Sequence, residues 1–158
     1  MPKNWITVRV ELLGGRDIVC DPPPGRVMLV GPRHSFGDLA VVIDSAFARW
    51  DLGHLHMFQF EDGRMVGEPV PNWDTEVLDE SSLTVAETLV PGQTFTYIFD
   101  LGDEWRHACR LEKKGVDPAE AYGEPPRMPV PIWGWGSIPD QYGRRWEDDT
   151  GEDEPSEG

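Results

Sequence analysis

The amino-acid sequence predicts an α+β domain: a mixed β-sheet with one long amphipathic helix packed across a face, β-grasp-like, followed by an irregular Pro/Trp-rich C-terminal arm. Three observations predict it. Strand-period segments open the chain, one long stripe of apolar residues at spacings of three and four follows, and a hairpin with period two in both arms comes later. Two strands, a long helix, further strands, a short helical turn and a final hairpin is the order in which a helix crosses one face of a mixed sheet. At 158 residues there is room for one such domain, expected over residues 1–146 with the arm at 113–146.

Ile6, Val8, Val10 and Leu12 alternate with Thr7, Arg9 and Glu11, so the first strand buries one face. Gly14-Gly15 interrupts it, and Val27-Met28-Leu29-Val30, closed by Gly31-Pro32, reads as its partner. The helix comes next. Phe36, Leu39, Ala40, Ile43, Ala46, Phe47 and Trp50 form its apolar stripe, Asp38, Asp44 and Arg49 its wet side, and Gly53 its stop. Ser35, with Asp38 three residues on, supplies a capping box.

His54 to Phe60 reads as a strand turned by Glu61-Asp62-Gly63, with Met65-Val66 as its return and 67–82 as loop. Thr84 with Glu87 forms a second capping box heading one short helical turn, stopped by Pro91-Gly92. Phe95, Tyr97 and Phe99, then Trp105, His107, Cys109 and Leu111, set the inward faces of the hairpin around Asp100-Leu101-Gly102-Asp103. Trp50 and Trp105 read as core. From Gly115 to Trp146 six prolines punctuate Trp133, Trp135, Tyr142 and Trp146 with no sustained period, the mark of an irregular arm laid on the core. Seven of the last twelve residues are acidic and none is apolar, which predicts a disordered acidic tail over 147–158.

Acidic residues outnumber basic ones 29 to 14, a net charge of −15, so nucleic-acid phosphates are repelled and a nucleic acid is disfavoured as partner. No apolar run is long enough to cross a bilayer and the N-terminus lacks the apolar block of a secretory signal. The chain is therefore expected in the cytoplasm and off the membrane. Cys20 and Cys109 have no Cys-x-x-Cys spacing, which suits reduced thiols rather than a disulfide framework or a zinc knuckle. The phosphate-binding loop, the His-Glu-x-x-His zinc helix and the Gly-x-Ser-x-Gly elbow are missing.

Three passages, His34-Ser35-Phe36-Gly37-Asp38-Leu39 through Trp50, Gly53-His54-Leu55-His56-Met57-Phe58, and Phe99-Asp100-Leu101-Gly102-Asp103-Glu104-Trp105-Arg106-His107, together resemble the plasmid pRiA4b ORF-3-like family. Its members are also described as passenger proteins of insertion elements. The resemblance covers roughly residues 5 to 112 and implies a compact α+β domain associated with mobile elements, with no established enzymatic activity. Beyond 112 the sequence departs from the pattern. Many relatives carry a cysteine-containing stretch with a Pro-Pro-Glu-Asp-like core, where this chain has Ser137-Ile138-Pro139-Asp140-Gln141-Tyr142-Gly143. A thiolate-metal role there loses its ligand.

His54 and His56 share a strand face with Phe58 and Phe60, and His107 shares one with Trp105 and Leu111. If those strands are neighbours, His54, His56, His107 and Asp103 converge as a candidate divalent-metal or acid–base set. The same imidazoles also read as core-edge residues bonded to backbone or to an Asp, with no cofactor bound. Likewise the turn at Asp100 to Asp103 reads as hairpin chemistry, its carboxylates accepting from turn amides.

Three function classes follow. A non-catalytic binding module would engage a protein through a sheet edge or the arm, with Trp133 and Trp135 as aromatic anchors and Arg106 and Arg110 as cations of the binding surface. A metal-dependent hydrolase or nuclease would use a metal-bound water at His54, His56, Asp103 and His107. Nucleic-acid interaction would rest on Arg106, Arg110, Lys113 and Lys114, against a net charge that stays negative without the tail. The binding module without a cofactor is the expectation, and the metal enzyme the alternative.

Overall fold

Val, Ile, Phe and Tyr at alternate positions favour extended backbone, and they recur along the segments that form the longer strands. The computed structural model describes residues 3–68 and 76–142. Its strands are β1 (Trp5–Gly15), β2 (Ile18–Val19), β3 (Gly25–Val30), β4 (His56–Phe60), β5 (Met65–Gly67), β6 (Val77–Asp79), β7 (Thr94–Phe99), β8 (Trp105–Val116) and β9 (Val130–Trp135). They form one nine-stranded sheet in the order β6-β5-β4-β7-β8-β1-β3-β9, with β2 paired to β1. Of its neighbouring pairs only β5 and β6 run parallel. The helices are α1 (Phe36–Ala46), α2 (Val85–Thr88) and α3 (Pro118–Ala121).

This architecture overturns the α+β, β-grasp-like expectation: the mixed sheet dominates, and no described helix is long. The apolar stripe runs on to Trp50, but α1 stops at Ala46. Ala48 adopts φ +57°, its N–H bonds Ser45 O at 3.2 Å, and Arg49 N–H bonds Asp44 O at 2.8 Å, which is the Schellman closure of a helix. The reversal drives Arg49 into the core and turns Trp50 outward, 43% exposed, contrary to the reading of Trp50 as core. The expected start is present: Asp38 N–H donates to Ser35 Oγ and Ser35 N–H to Asp38 Oδ2. The second box is not, since Thr84 makes no side-chain cap bond to α2.

Two segments read as irregular contain strands. β6 lies inside the expected loop 67–82, and β9 lies inside the expected arm as the edge strand beside β3. Gly25 makes room for it, because a Cβ there would sit 2.1 Å from the Trp135 ring. The arm's far end is fastened to the loop after α1 by the fully buried Gln141. Its Oε1 accepts from Trp50 N–H and Asp51 N–H, and its Nε2 donates to Asp51 O. Trp146 and the acidic tail over 147–158 lie outside the described residues.

α1 covers one face. Phe36, Leu39, Ala40 and Ile43, with Phe47, pack on Val8, Val10, Phe58, Tyr97 and Leu111 in one core cluster. Each buried Val, Leu, Ile or Phe among them contributes about 1.5–3 kcal/mol over its exposed state. No described helix is long and apolar enough to cross a membrane.

Candidate functional site

Strand pairing decides where the imidazoles go. Tyr97 on β7 stands opposite Phe58 on β4 and His107 on β8, so its ring lies 5.8 Å from that of His56 and 5.3 Å from that of His107. Each histidine has its own partner. His107 is fully buried with Nδ1 3.0 Å from Tyr97 O, while its Nε2 has no partner among the described residues. Burial above all, with the nearby Arg49 charge, lowers its pKa to about 4, so the ring is neutral at neutral pH. His56 Nε2 lies 2.6 Å from Glu80 Oε1. His54 Nε2 lies 2.5 Å from Tyr142 Oη, and its Nδ1 lies 3.4 Å from Asp100 Oδ2. Asp103 closes the β7–β8 turn, its N–H donating to Asp100 Oδ1 at 3.2 Å. Of the four residues expected as one set, His54 and Asp103 both reach Asp100, whereas His56 turns to Glu80 and His107 to the Tyr97 carbonyl.

The structure instead gathers polar groups at the contact between α1 and β4–β7. Asp44, expected on the wet side of the helix, is 7% exposed and accepts the Tyr97 hydroxyl at 2.7 Å. Burial raises its carboxyl to about 7, although the Tyr97 bond and the His56 and Arg49 charges oppose the rise. Burial and Asp44 push the Tyr97 phenol well above its usual range, so it remains a donor. Burial alone would lower His56, but the bond and charge of Glu80, then Asp44 and Glu68, raise it. Ligand atoms of His56, Glu68 and Glu80 lie within 4.8 Å of one another.

Of this cluster the sequence marked His56 alone as a site residue. Gly67 pairs with Asp79 in the parallel β5–β6 ladder, so Glu68 and Glu80 each follow a paired position and come side by side. No local pattern signals that pairing. A helical wheel does carry the Asp44 signal, because Gly37, Ala40 and Asp44 fall on one side of α1 next to its apolar stripe.

The face opposite α1 carries a second arrangement. Register lines up Thr94, Arg110, Arg9, Val27 and Trp133 across five strands, and Gln59, Thr96, Ala108, Glu11, Gly25 and Trp135 beside them. A groove of about 810 Å³ runs there over Gln59, Thr96, Ala108, Arg110, Arg9 and Glu11. Arg9 stacks 4.2 Å from the Trp135 ring centroid and pairs with Glu11 at 3.1 Å. Trp133 is 69% exposed. Arg106 shares this side of β8 but is paired with Glu104 at 2.7 Å, whereas Arg110 forms no ion pair with a described residue.

One nine-stranded sheet, with a helix and a polar cluster on one side and a groove on the other, defines a sheet-built domain carrying none of the common enzyme motifs. The chain belongs to the plasmid pRiA4b ORF-3-like protein family, whose model matches residues 6–139 and so runs past residue 112, where the resemblance was expected to end. Among curated proteins it has no significant match. A crystal structure of a protein of unknown function from Methanosarcina mazei Go1 is similar in fold. It has a TM-score of 0.64 and 20% identity, covering 89% of this chain and 74% of that one.

Proposed function

We propose that this protein is a non-catalytic binding module that captures a protein segment on the sheet face opposite α1. One observation carries the reading: the register that aligns Arg110, Arg9 and Glu11, which line the groove, with Trp133 and Trp135 on the edge strand β9 of the same face. Cations, a carboxylate and amide or hydroxyl groups along its floor suit the alternating donors and acceptors of a polypeptide, and exposed tryptophan is an interface anchor. Arg110, which forms no ion pair with a described residue, favours an acidic residue in the bound segment. A hydrolase at His54, His56, Asp103 and His107 has less support, because His56 bonds Glu80 and His107 a backbone carbonyl, away from the Asp100 contacts of His54 and Asp103. A reduced cytoplasmic setting accords with Cys20 and Cys109, which are both free thiols.

A photo-crosslinking residue placed at Ala108 or Thr96 in the host tests the reading, with Val41 on the exposed side of α1 as control. Adducts of one defined mass at 108 and 96, absent at 41 and lost on Arg110→Glu or Trp133→Ala, are expected. No adduct, or equal adducts at 41, refutes it.

A further inference from the structure

We infer that His56, Glu68 and Glu80 form a binding site for one divalent transition ion of the zinc or manganese kind. The inference is independent of the groove and its partner. It starts from a cluster of donor atoms. The side chains of His56 and Glu80 are only 15% and 12% exposed, Glu68 joins them from the surface, and buried Asp44 acts on the same pair from α1. Three carboxylates thus surround one imidazole. Arg49, which also acts on Asp44, is held elsewhere: its Nε bonds Phe47 O, its Nη2 bonds Pro139 O, and its guanidinium stacks 4.3 Å from the Trp105 centroid. Glu80, largely buried, has His56 as its partner at 2.6 Å, and a cation shared with Glu68 would offset the cost of keeping that carboxylate away from water.

Geometry and donor type point the same way. Three atoms within 4.8 Å of one another can all lie within about 2.8 Å of a common centre, and zinc–nitrogen and zinc–carboxylate bonds of about 2.0–2.2 Å need shifts of under about 1 Å from there. Glu68 is exposed and free to make such a shift. The ion would take the place of the proton now shared by His56 Nε2 and Glu80 Oε1. Glu80 Oε2 packs close over Gly37, where a Cβ would stand 3.2 Å from it. One imidazole nitrogen with two carboxylate oxygens suits zinc or manganese better than the all-oxygen sites of magnesium and calcium, and three protein ligands leave a position for water.

The full chain, stripped with chelator, is titrated with Zn²⁺ or Mn²⁺ alone by calorimetry, bound Mn²⁺ being read also by electron paramagnetic resonance. Mg²⁺ and Ca²⁺ serve as comparisons. Expected are one ion per chain, at least tenfold weaker binding in Glu68→Gln, loss in His56→Ala, and no change in Glu87→Gln on the exposed side of α2. Glu68→Gln alters an exposed side chain, so it reports even if His56→Ala misfolds. No binding to millimolar Zn²⁺ or Mn²⁺ overturns the site. So does binding that Glu68→Gln and His56→Ala leave unchanged, which marks ions held loosely by the acidic surface.

Discussion

Tyr97 donates its hydroxyl to Asp44 Oδ1 at 2.7 Å, tying the middle of the sheet to the buried side of α1. The bond lies inside the hydrophobic core, where a carboxylate is expensive, and burial is the main reason that Asp44 titrates near 7 rather than near 3.8. A raised carboxyl stabilises the fold in its protonated form. Its contribution is full below pH ~4 and is lost as pH rises through about 7.

Asp44→Asn keeps an oxygen for the Tyr97 hydroxyl and abolishes this titration. Between pH 4 and pH 8, in chelator, the wild type is expected to lose up to about 4 kcal/mol of stability relative to the variant, by urea denaturation. Parallel curves for the two proteins would mean that Asp44 is ionised in the fold throughout.

His107 has the opposite slope. Its folded pKa of about 4 lies below the ordinary 6.5, so the unfolded chain takes up a proton first and stability falls as pH drops from 6.5 to 4. The loss is about 3 kcal/mol, and His107→Gln flattens that limb. In nuclear magnetic resonance titration one imidazole should stay neutral down to pH 5 in the folded protein.

Ala48 holds the left-handed position that closes α1, where glycine is the usual residue. Ala48→Gly removes a penalty of about 1–2 kcal/mol and adds a backbone-entropy cost of about 0.5–1 kcal/mol. A net gain of up to about 1 kcal/mol in denaturant unfolding is expected, and a loss would mean that the exposed Ala48 side chain contributes packing.

Trp133 and Trp105 separate surface from core. Trp105 is fully buried, so Trp105→Ala is expected to cost about 3–5 kcal/mol. Trp133 projects from the edge strand, and Trp133→Ala is expected to change stability by no more than about 0.5 kcal/mol while abolishing crosslinking in the groove. A large loss on Trp133→Ala would make it a structural residue.

What could be read without coordinates was local. The alternation in β1, the pairing of β1 with β3, the capping box at Ser35 and the inward face of the β7–β8 hairpin all rest on residues a few positions apart, and all are present. The end of α1 was not legible, because alanine in place of glycine hides a left-handed closure, and the apolar stripe continues through Phe47 after the helix has stopped. β6 was hidden because three residues show no period.

By itself the sequence determined the apolar faces of β1, α1 and the β7–β8 hairpin and the capped start of α1, since these follow from side-chain spacing along a single element. Only the tertiary structure decided which distant elements meet. The parallel β5–β6 ladder brings Glu68 and Glu80 to His56, the packing of α1 buries Asp44 against Tyr97, and the β3–β9 edge places Trp133 in line with Arg110. The reason is physical: spacing along the backbone sets direction within an element, whereas proximity between elements is set by the packing of the whole core.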